Sequence, residues 1–185
     1  MEIYIIRHTP VDVEKGTCYG QSEVRLSNDF NKYVEYYKKE LPQDFDLIYT
    51  SPLDRCLTLT KALNFSDIEY IIDERLMEMH FGDWELKNWN TIPYDESKNW
   101  MENFDYISTP NGESMKDLLD RINSFYETLK TLPYQKVLIV THSGPIRCFW
   151  SIILDIALKN SFKIPVGYGE ILVINTSYDT IIRKI

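Results

Sequence analysis

The amino-acid sequence predicts an α/β fold, a three-layer αβα sandwich around a mainly parallel sheet with an inserted lid segment at about residues 80–112. Three observations lead there. Short β-rich runs alternate with amphipathic helical segments, the pattern of strands crossing over through helices. Most of those runs are continuously apolar rather than alternating, as expected of strands buried on both faces. Residues 80–112 break the rhythm: Phe81, Trp84, Trp89, Tyr94, Trp100, Phe104 and Tyr106 recur without a clear period, which reads as a lid over one end of the sheet.

In chain order, "EIYIIRH" (2–8) predicts the first strand, and residues 28–41 a helix with Phe30, Tyr33, Val34, Tyr37 and Leu41 on one face. "FDLIYTS" (45–51) predicts a second strand, after which Ser51, Pro52 and Asp54 carry a helix-start pattern. "IEYIID" (68–73) is a third strand. Beyond the lid, Ser114 with Asp117 opens a helix to residue 130 whose apolar face holds Met115, Leu118, Leu119, Ile122, Phe125 and Leu129. "KVLIVTH" (136–142) is a fourth strand, and Gly144 with Pro145 starts another helix. "EILVINT" (170–176) is a fifth strand and "TIIRKI" (180–185) a sixth.

A length of 185 residues, 44% hydrophobic and 26% charged, suits one domain over 1–185 with an ordinary core. The net charge of −8 argues against a basic surface for nucleic acid or anionic lipid, so an anionic ligand would need a local group of arginines. Cys18, Cys56 and Cys148 are odd in number and lack CxxC spacing, which suggests neither a disulfide framework nor a zinc knuckle. The N-terminal apolar run lacks a basic lead-in and is too short for a signal peptide, and no segment has the roughly 20 apolar residues of a membrane span. The cytoplasm is the expected compartment.

Two of the three histidines share one context: His8 in "IYIIRH" and His142 in "VLIVTH" each follow an apolar strand. Ligands of open α/β sheets bind at the carboxyl ends of strands, so neighbouring strands would bring both imidazoles to one crevice. Each alone would as readily end a strand and bond a loop carbonyl. "TSPLDRC" (50–56) puts Arg55 near the start of a helix, where a cation opposes the helix dipole by roughly 0.3–1 kcal/mol, and "THSGPIR" (141–147) does the same with Arg147. Two arginines at two helix N-termini suit an anion, unless they pair with acids such as Asp54 or face solvent.

Two histidines, several arginines and no clustered metal-ligand spacing point to phosphoryl chemistry. An imidazole attacks phosphorus, guanidinium groups hold the equatorial oxygens, and an acid protonates the leaving oxygen. In "DERLMEMHFGDWE" (73–85), Glu78 is flanked by Leu76, Met77, Met79 and Phe81, an apolar setting that would keep a carboxyl protonated; spacing alone does not choose it over Glu74, Asp83 or Glu85.

Taken together in this order, "RH" after the first strand, "TSPLDRC", "LMEMHFGDWE", "NGES" and "THSGPIR" resemble the histidine phosphatase, or phosphoglycerate-mutase-like, superfamily over essentially the full chain. "GTCYGQSEVRLS" (16–27) is further similar to its α-ribazole phosphatase branch. The resemblance implies a phosphomonoesterase with His8 as the phosphorylated nucleophile, Arg7, Arg55 and His142 as the phosphate pocket, and Glu78 as general acid and then base. It implies no metal or other cofactor and a small-molecule phosphate ester as partner, with α-ribazole 5′-phosphate of the cobalamin pathway first. Tyr19, Gln21, Ser22, Glu113 and Ser143 would contact the rest of the substrate, and Arg147 would support from behind. The chain departs from the pattern at Thr9 and Pro10, where a glycine and an acid are common, at Glu14, where a phosphate-contacting asparagine is common, and at Leu86, a frequent glycine.

Other readings are a broad-specificity phosphatase, a phosphoglycerate-type mutase, and a non-catalytic phospholigand-binding module. The chain is short for a mutase. The presence of both His8 and Glu78 weighs against a silent module.

Overall fold

The computed structural model describes residues 1–65, 68–177 and 180–184, the last five by their backbone. The runs Ile3–Ile6 and Val137–Val140 form the middle of a six-stranded sheet of order β3-β2-β4-β1-β5-β6. Strand β1 (Glu2–Arg7) pairs in parallel with β4 (Lys136–Thr141), β4 with β2 (Leu47–Thr50), and β2 with β3 (Tyr70–Ile72). On the other side of β1, β5 (Ile171–Asn175) runs antiparallel, and β6 (Thr180–Lys184) adds antiparallel to it. The expected mainly parallel sheet is present; Ile185, the last residue of the sixth run, lies outside the described residues.

Successive side chains of a strand point to opposite faces, and both faces here are covered. Ile6, Ile48, Val140 and Ile171 pack under α1 (Phe30–Glu40) and α2 (Asp54–Leu63), against Val34, Tyr37, Cys56 and Leu59. Ile3, Ile5, Tyr49 and Ile139 face the opposite layer, where Leu118, Ile122 and Phe125 of one helix and Phe149 of another meet them. The three cysteines are free and buried.

Three local expectations are corrected. The third strand is not buried on both faces: β3 has one neighbour, and Ile72 is half exposed. Ser51 does not cap a helix; α2 begins at Asp54 after an extended Leu53, and the Ser51 hydroxyl accepts the Leu53 N–H at 3.3 Å while keeping its own proton for other work. The segment 80–112 contains α3 (Tyr94–Asn103), a helix whose only buried residues are Ser97 and Trp100, too few for an apolar period. Its start follows Pro93 and places Asp95 and Glu96 at the positive end of the helix dipole. The lid rings extend the core of the layer that holds Leu118 and Phe149: Trp84 meets Trp89 and Trp100 edge-on, and Trp89 stacks on Trp100 at 5.6 Å.

The helix predicted from Ser114 is α4 (Met115–Lys130), followed beyond β4 by α5 (Ser143–Leu154). Ser114 caps α4 reciprocally: its hydroxyl accepts the Asp117 N–H, and the Asp117 carboxylate accepts the Ser114 N–H at 2.9 Å. Because Ser114 is buried, Ser114→Ala should cost about 1 kcal/mol of stability. Urea titration should show a lower midpoint with an unchanged slope.

Candidate active site

The topology explains why the two histidines meet. The chain leaving β1 turns toward the α1–α2 layer, whereas the chain leaving the adjacent β4 turns into α5 on the other layer, so a crevice opens at their carboxyl ends. Arg7 is in register with Thr141, and the His8 N–H donates to the Thr141 carbonyl at 2.9 Å. The next residue on each strand is therefore a histidine, and the His8 and His142 rings lie 5.1 Å apart. β2 flanks β4 on the far side, and its end delivers Ser51 and then Arg55, the second residue of α2.

Both imidazoles are almost completely buried. His8 Nδ1 lies 2.7 Å from the Thr9 carbonyl, which can only accept, so Nδ1 carries the proton and Nε2 keeps its lone pair. Burial, then the charges of Arg7 and Arg55, hold His8 well below the ordinary imidazole range. His142 is held low by burial, then Arg55, His8 and Arg7. His142 Nε2 lies 2.8 Å from the Ser51 hydroxyl, with the Cys56 thiol at 3.4 Å.

The two arginines are fixed by neutral groups. Arg7 donates through Nη1 to the Val166 carbonyl at 3.0 Å and through Nη2 to the Tyr168 hydroxyl at 3.1 Å. Arg55 donates to the Ser22 carbonyl at 3.0 Å and to the Gly20 carbonyl. Among the described residues neither has an ion pair, so the pairing of Arg55 with Asp54 is not found, and both Nε–H groups are buried without an acceptor. A buried charge without a counter-ion is costly, so this pair of cations favours any anion that reaches it.

Glu78 is buried, yet its oxygens do not face the hydrocarbon expected from Leu76, Met77, Met79 and Phe81. They accept the amides of Met79 and Gly144 at 3.0 Å and the Ser143 hydroxyl at 3.0 Å. Gly144 is required there: a Cβ would sit 2.1 Å from Glu78 Oε1 and 2.9 Å from Leu118 Cδ2. Glu78 and Ser143 line an open cleft of about 170 Å³ with Arg7, Tyr19, Phe81, Trp89, Arg147 and Phe162. That is smaller than the roughly 300–1,000 Å³ of drug-sized sites and suits a small ligand. His8, His142 and Arg55 do not line it; Arg7, the residue before His8, does.

The remaining sequence candidates divide. Tyr19 reaches the cleft, and its hydroxyl lies 3.1 Å from that of Tyr168. Gln21 donates its side-chain amide to the Glu78 carbonyl at 3.0 Å, and Ser22 contributes its carbonyl to Arg55. Glu113 is turned away from the cleft, pairing with Arg121 at 2.8 Å and accepting the His80 N–H at 2.8 Å. The Arg147 Nε donates to the Ile164 carbonyl at 3.1 Å. Leu86 adopts φ 63°, the left-handed region in which the absent glycine would be at ease.

Several residues escaped the sequence reading. Arg121 holds the carbonyls of Arg75, Met77 and Glu78 at 2.6–2.9 Å and so fixes the loop that presents Glu78; its one signal is a cation between Leu118 and Ile122 on an apolar helix face. Glu85, weighed in the sequence only as an alternative acid, accepts the amides of Gly20, Gln21, Ser22 and Phe81 at 2.9–3.1 Å. Burial raises its pKa, but the hydrogen bonds from Ser22, Gln21, Gly20 and Phe81 outweigh it and keep the carboxyl below its usual range. Tyr168, between two glycines, carried no chemical signal in the sequence.

Paired imidazoles and unpaired guanidinium groups at the carboxyl edge of a mainly parallel sheet define an α/β protein with a cationic crevice. Residues 3–182 match the model of the histidine phosphatase superfamily (branch 1), and the chain belongs to that superfamily. A Hydrogenobacter thermophilus protein assigned as phosphoserine phosphatase 2 is 33% identical over 174 residues, 88% of this chain and 83% of its own length. An adenosylcobalamin/alpha-ribazole phosphatase of Escherichia coli is 25% identical over 144 residues, 74% and 71% of the two chains. The crystal structure of the alpha-ribazole phosphatase from Shigella flexneri superposes with a TM-score of 0.88 at 22% identity, covering 100% of this chain and 95% of that one. It shares the fold. Among the described residues no helix is long and apolar enough to cross a membrane.

The buried neutral imidazoles predict an acid sensitivity. Below about pH 6.5 the unfolded chain takes up protons that folded His8 and His142 refuse, so stability falls as pH falls, by up to about 1.4 kcal/mol per pH unit for each ring. Urea titrations at pH 7.5 and 5.5 should show the loss in the wild type and a smaller one in His8→Gln.

Proposed function

We propose that the protein hydrolyses a small phosphate monoester through a phosphohistidine at His8. The observation that carries this reading is the neutral His8 ring, its Nε2 lone pair free, beside the buried Arg55 and partly buried Arg7 guanidinium groups, which lack a carboxylate partner among the described residues. The Nε2 lone pair attacks phosphorus in line while the ester P–O bond breaks, and protonated Glu78 gives its proton to the departing oxygen. Arg7, Arg55 and His142 hold the three equatorial oxygens, whose charge is the main quantity a protein can stabilise in this reaction. Glu78, now a carboxylate, takes a proton from water as that water attacks phosphorus; the P–N bond breaks, inorganic phosphate leaves, and His8 returns neutral. The step needs no metal ion or other cofactor.

The same reading treats residues 1–185 as one domain working in the cytoplasm on a small molecule rather than on nucleic acid. As substrate, α-ribazole 5′-phosphate comes first, with α-ribazole as the leaving alcohol: Phe81, Trp89 and Phe162 line the cleft beside Glu78 and offer apolar surface to a planar base. The relatives named as alpha-ribazole phosphatases lend support. A second reading, phosphoserine, is favoured by Arg147, a cation in the same cleft whose Nη groups have no hydrogen-bond or ion-pair partner among the described residues. The relative assigned as a phosphoserine phosphatase supports that one. Specificity constants for α-ribazole phosphate, phosphoserine, phosphoglycerate, sugar phosphates, nucleotides and phosphopeptides decide between them.

His8→Ala should abolish turnover of p-nitrophenyl phosphate, while EDTA leaves the wild type active. A quench with ³²P-labelled ester should leave an acid-labile, alkali-stable label on the wild type and none on His8→Ala. Glu78→Gln should slow turnover by about 10²–10⁴-fold. Full activity of His8→Ala would end the proposal.

A further inference from the structure

A tyrosine outside every sequence motif stands over the nucleophile. Tyr168 belongs to the loop that leads into β5, and because β5 lies antiparallel beside β1, with Ile171 opposite Ile6, that loop arrives at the same sheet edge as Arg7 and His8. The Tyr168 ring covers the Arg7 guanidinium at 4.0 Å and lies 5.8 Å from the His8 ring. Its hydroxyl is the acceptor of Arg7 Nη2 and is 3.1 Å from the Tyr19 hydroxyl.

The loop is held firmly. The Gly169 N–H donates to the Tyr37 hydroxyl at 3.1 Å, and the same hydroxyl donates to the Arg7 carbonyl at 3.1 Å, so one side chain ties this loop to the backbone before the nucleophile. Gly169 has φ +80°, a conformation costly for a residue with a side chain. The flanking backbone is thus committed to holding one phenol in place.

We propose that the Tyr168 hydroxyl is part of the phosphoryl-binding site, donating to an equatorial oxygen beside Arg7, and that Tyr19 is the positioning residue that orients it. The inference rests on the phosphomonoesterase reading and adds a residue to it. Because Tyr168 oxygen accepts from Arg7, its own proton is free to point elsewhere. In the absence of an anion the Tyr19 oxygen can take it; an anion on Arg7 offers a stronger acceptor, and the Tyr19 hydroxyl then donates to the Tyr168 oxygen and holds its proton toward that anion. Burial raises the Tyr168 phenol well above its ordinary range, so it remains a donor at every working pH.

The test compares Tyr168→Phe, Tyr19→Phe and the double variant with the wild type, using inhibition by inorganic vanadate and kcat/KM for p-nitrophenyl phosphate. Tyr168→Phe should weaken vanadate about tenfold and lower kcat/KM in proportion, since a hydrogen bond to a charged group is lost. Tyr19→Phe should cost about threefold, and the double variant no more than Tyr168→Phe within about twofold, because Tyr19 acts through Tyr168. Should Tyr168→Phe fail to fold, the Tyr19→Phe arm reads the same hydroxyl from its other side.

Vanadate binding that is unchanged or tighter in Tyr168→Phe would overturn the inference, since the phenol would then be a wall or a competitor for Arg7. If the wild type hydrolyses the aryl ester and Tyr168→Phe matches it on both readouts, the inference falls while the hydrolase reading stands. If the wild type binds vanadate through Tyr168 but hydrolyses nothing, the hydrolase reading falls and the binding role stands.

Discussion

Two guanidinium groups held by neutral oxygens without a carboxylate to neutralise them, Arg55 buried and Arg7 partly buried, are the constraint around which this site is built. A buried charge is tolerated only where its hydrogen bonds are satisfied and its field has a use. Arg7 and Arg55 meet the first condition in large part through the carbonyls of Val166, Ser22 and Gly20. Their charge then acts on the imidazoles between them. Both rings are held neutral, with burial the larger cause and the arginines the next. A carboxylate beside either arginine would relieve the charge and also remove the attraction for an anion.

The loops that supply those carbonyls are in turn organised by single ions of opposite sign. Glu85 gathers four backbone amides and so fixes the turn that offers the Gly20 and Ser22 carbonyls to Arg55. Arg121 gathers three carbonyls and so fixes the turn that carries Glu78. Each works because an irregular loop buried against a cleft has amides and carbonyls that no sheet or helix satisfies, and one multivalent side chain can satisfy several at once. Gln21 joins the two turns by donating to the Glu78 carbonyl. Glu78 and the loop that holds Arg55 are therefore positioned by one continuous network.

What was legible in the sequence follows from this division. The strands were visible because β1, β2 and β4 are apolar on both faces, and the two histidines stood out because each directly ends such a run. β3 was overestimated because its Ile71 and Ile72 have the composition of a core strand but lie at an edge. α3 was missed because lid helices bury only a narrow stripe, here Ser97 and Trp100. Ser51 looked like a helix cap because serine before proline usually is one, whereas its hydroxyl is used by His142. Arg121 and Tyr168 were missed, and Glu85 was noticed only as a candidate acid, for a different reason: their partners are mostly backbone atoms or groups far away in the chain, which leave no local pattern.

The lid ties these observations to the cleft. Its rings pack on one another, with Trp84 and Trp100 buried in a core continuous with that of the α4–α5 layer, so it does not depend on a ligand to order it. It is joined to the Gly20–Ser22 turn through Phe81, whose amide is one of the four held by Glu85 and whose ring meets Trp89 and Trp100 edge-on. Phe81 and Trp89 thus reach the cleft as the outer surface of a packed unit rather than as free side chains. A leaving group entering beside Glu78 would meet a preformed wall, at little cost in side-chain ordering. Rigid apolar walls at that end and unpaired cations at the other would divide the work of the proposed reaction, one setting which alcohol fits and the other binding the phosphoryl group.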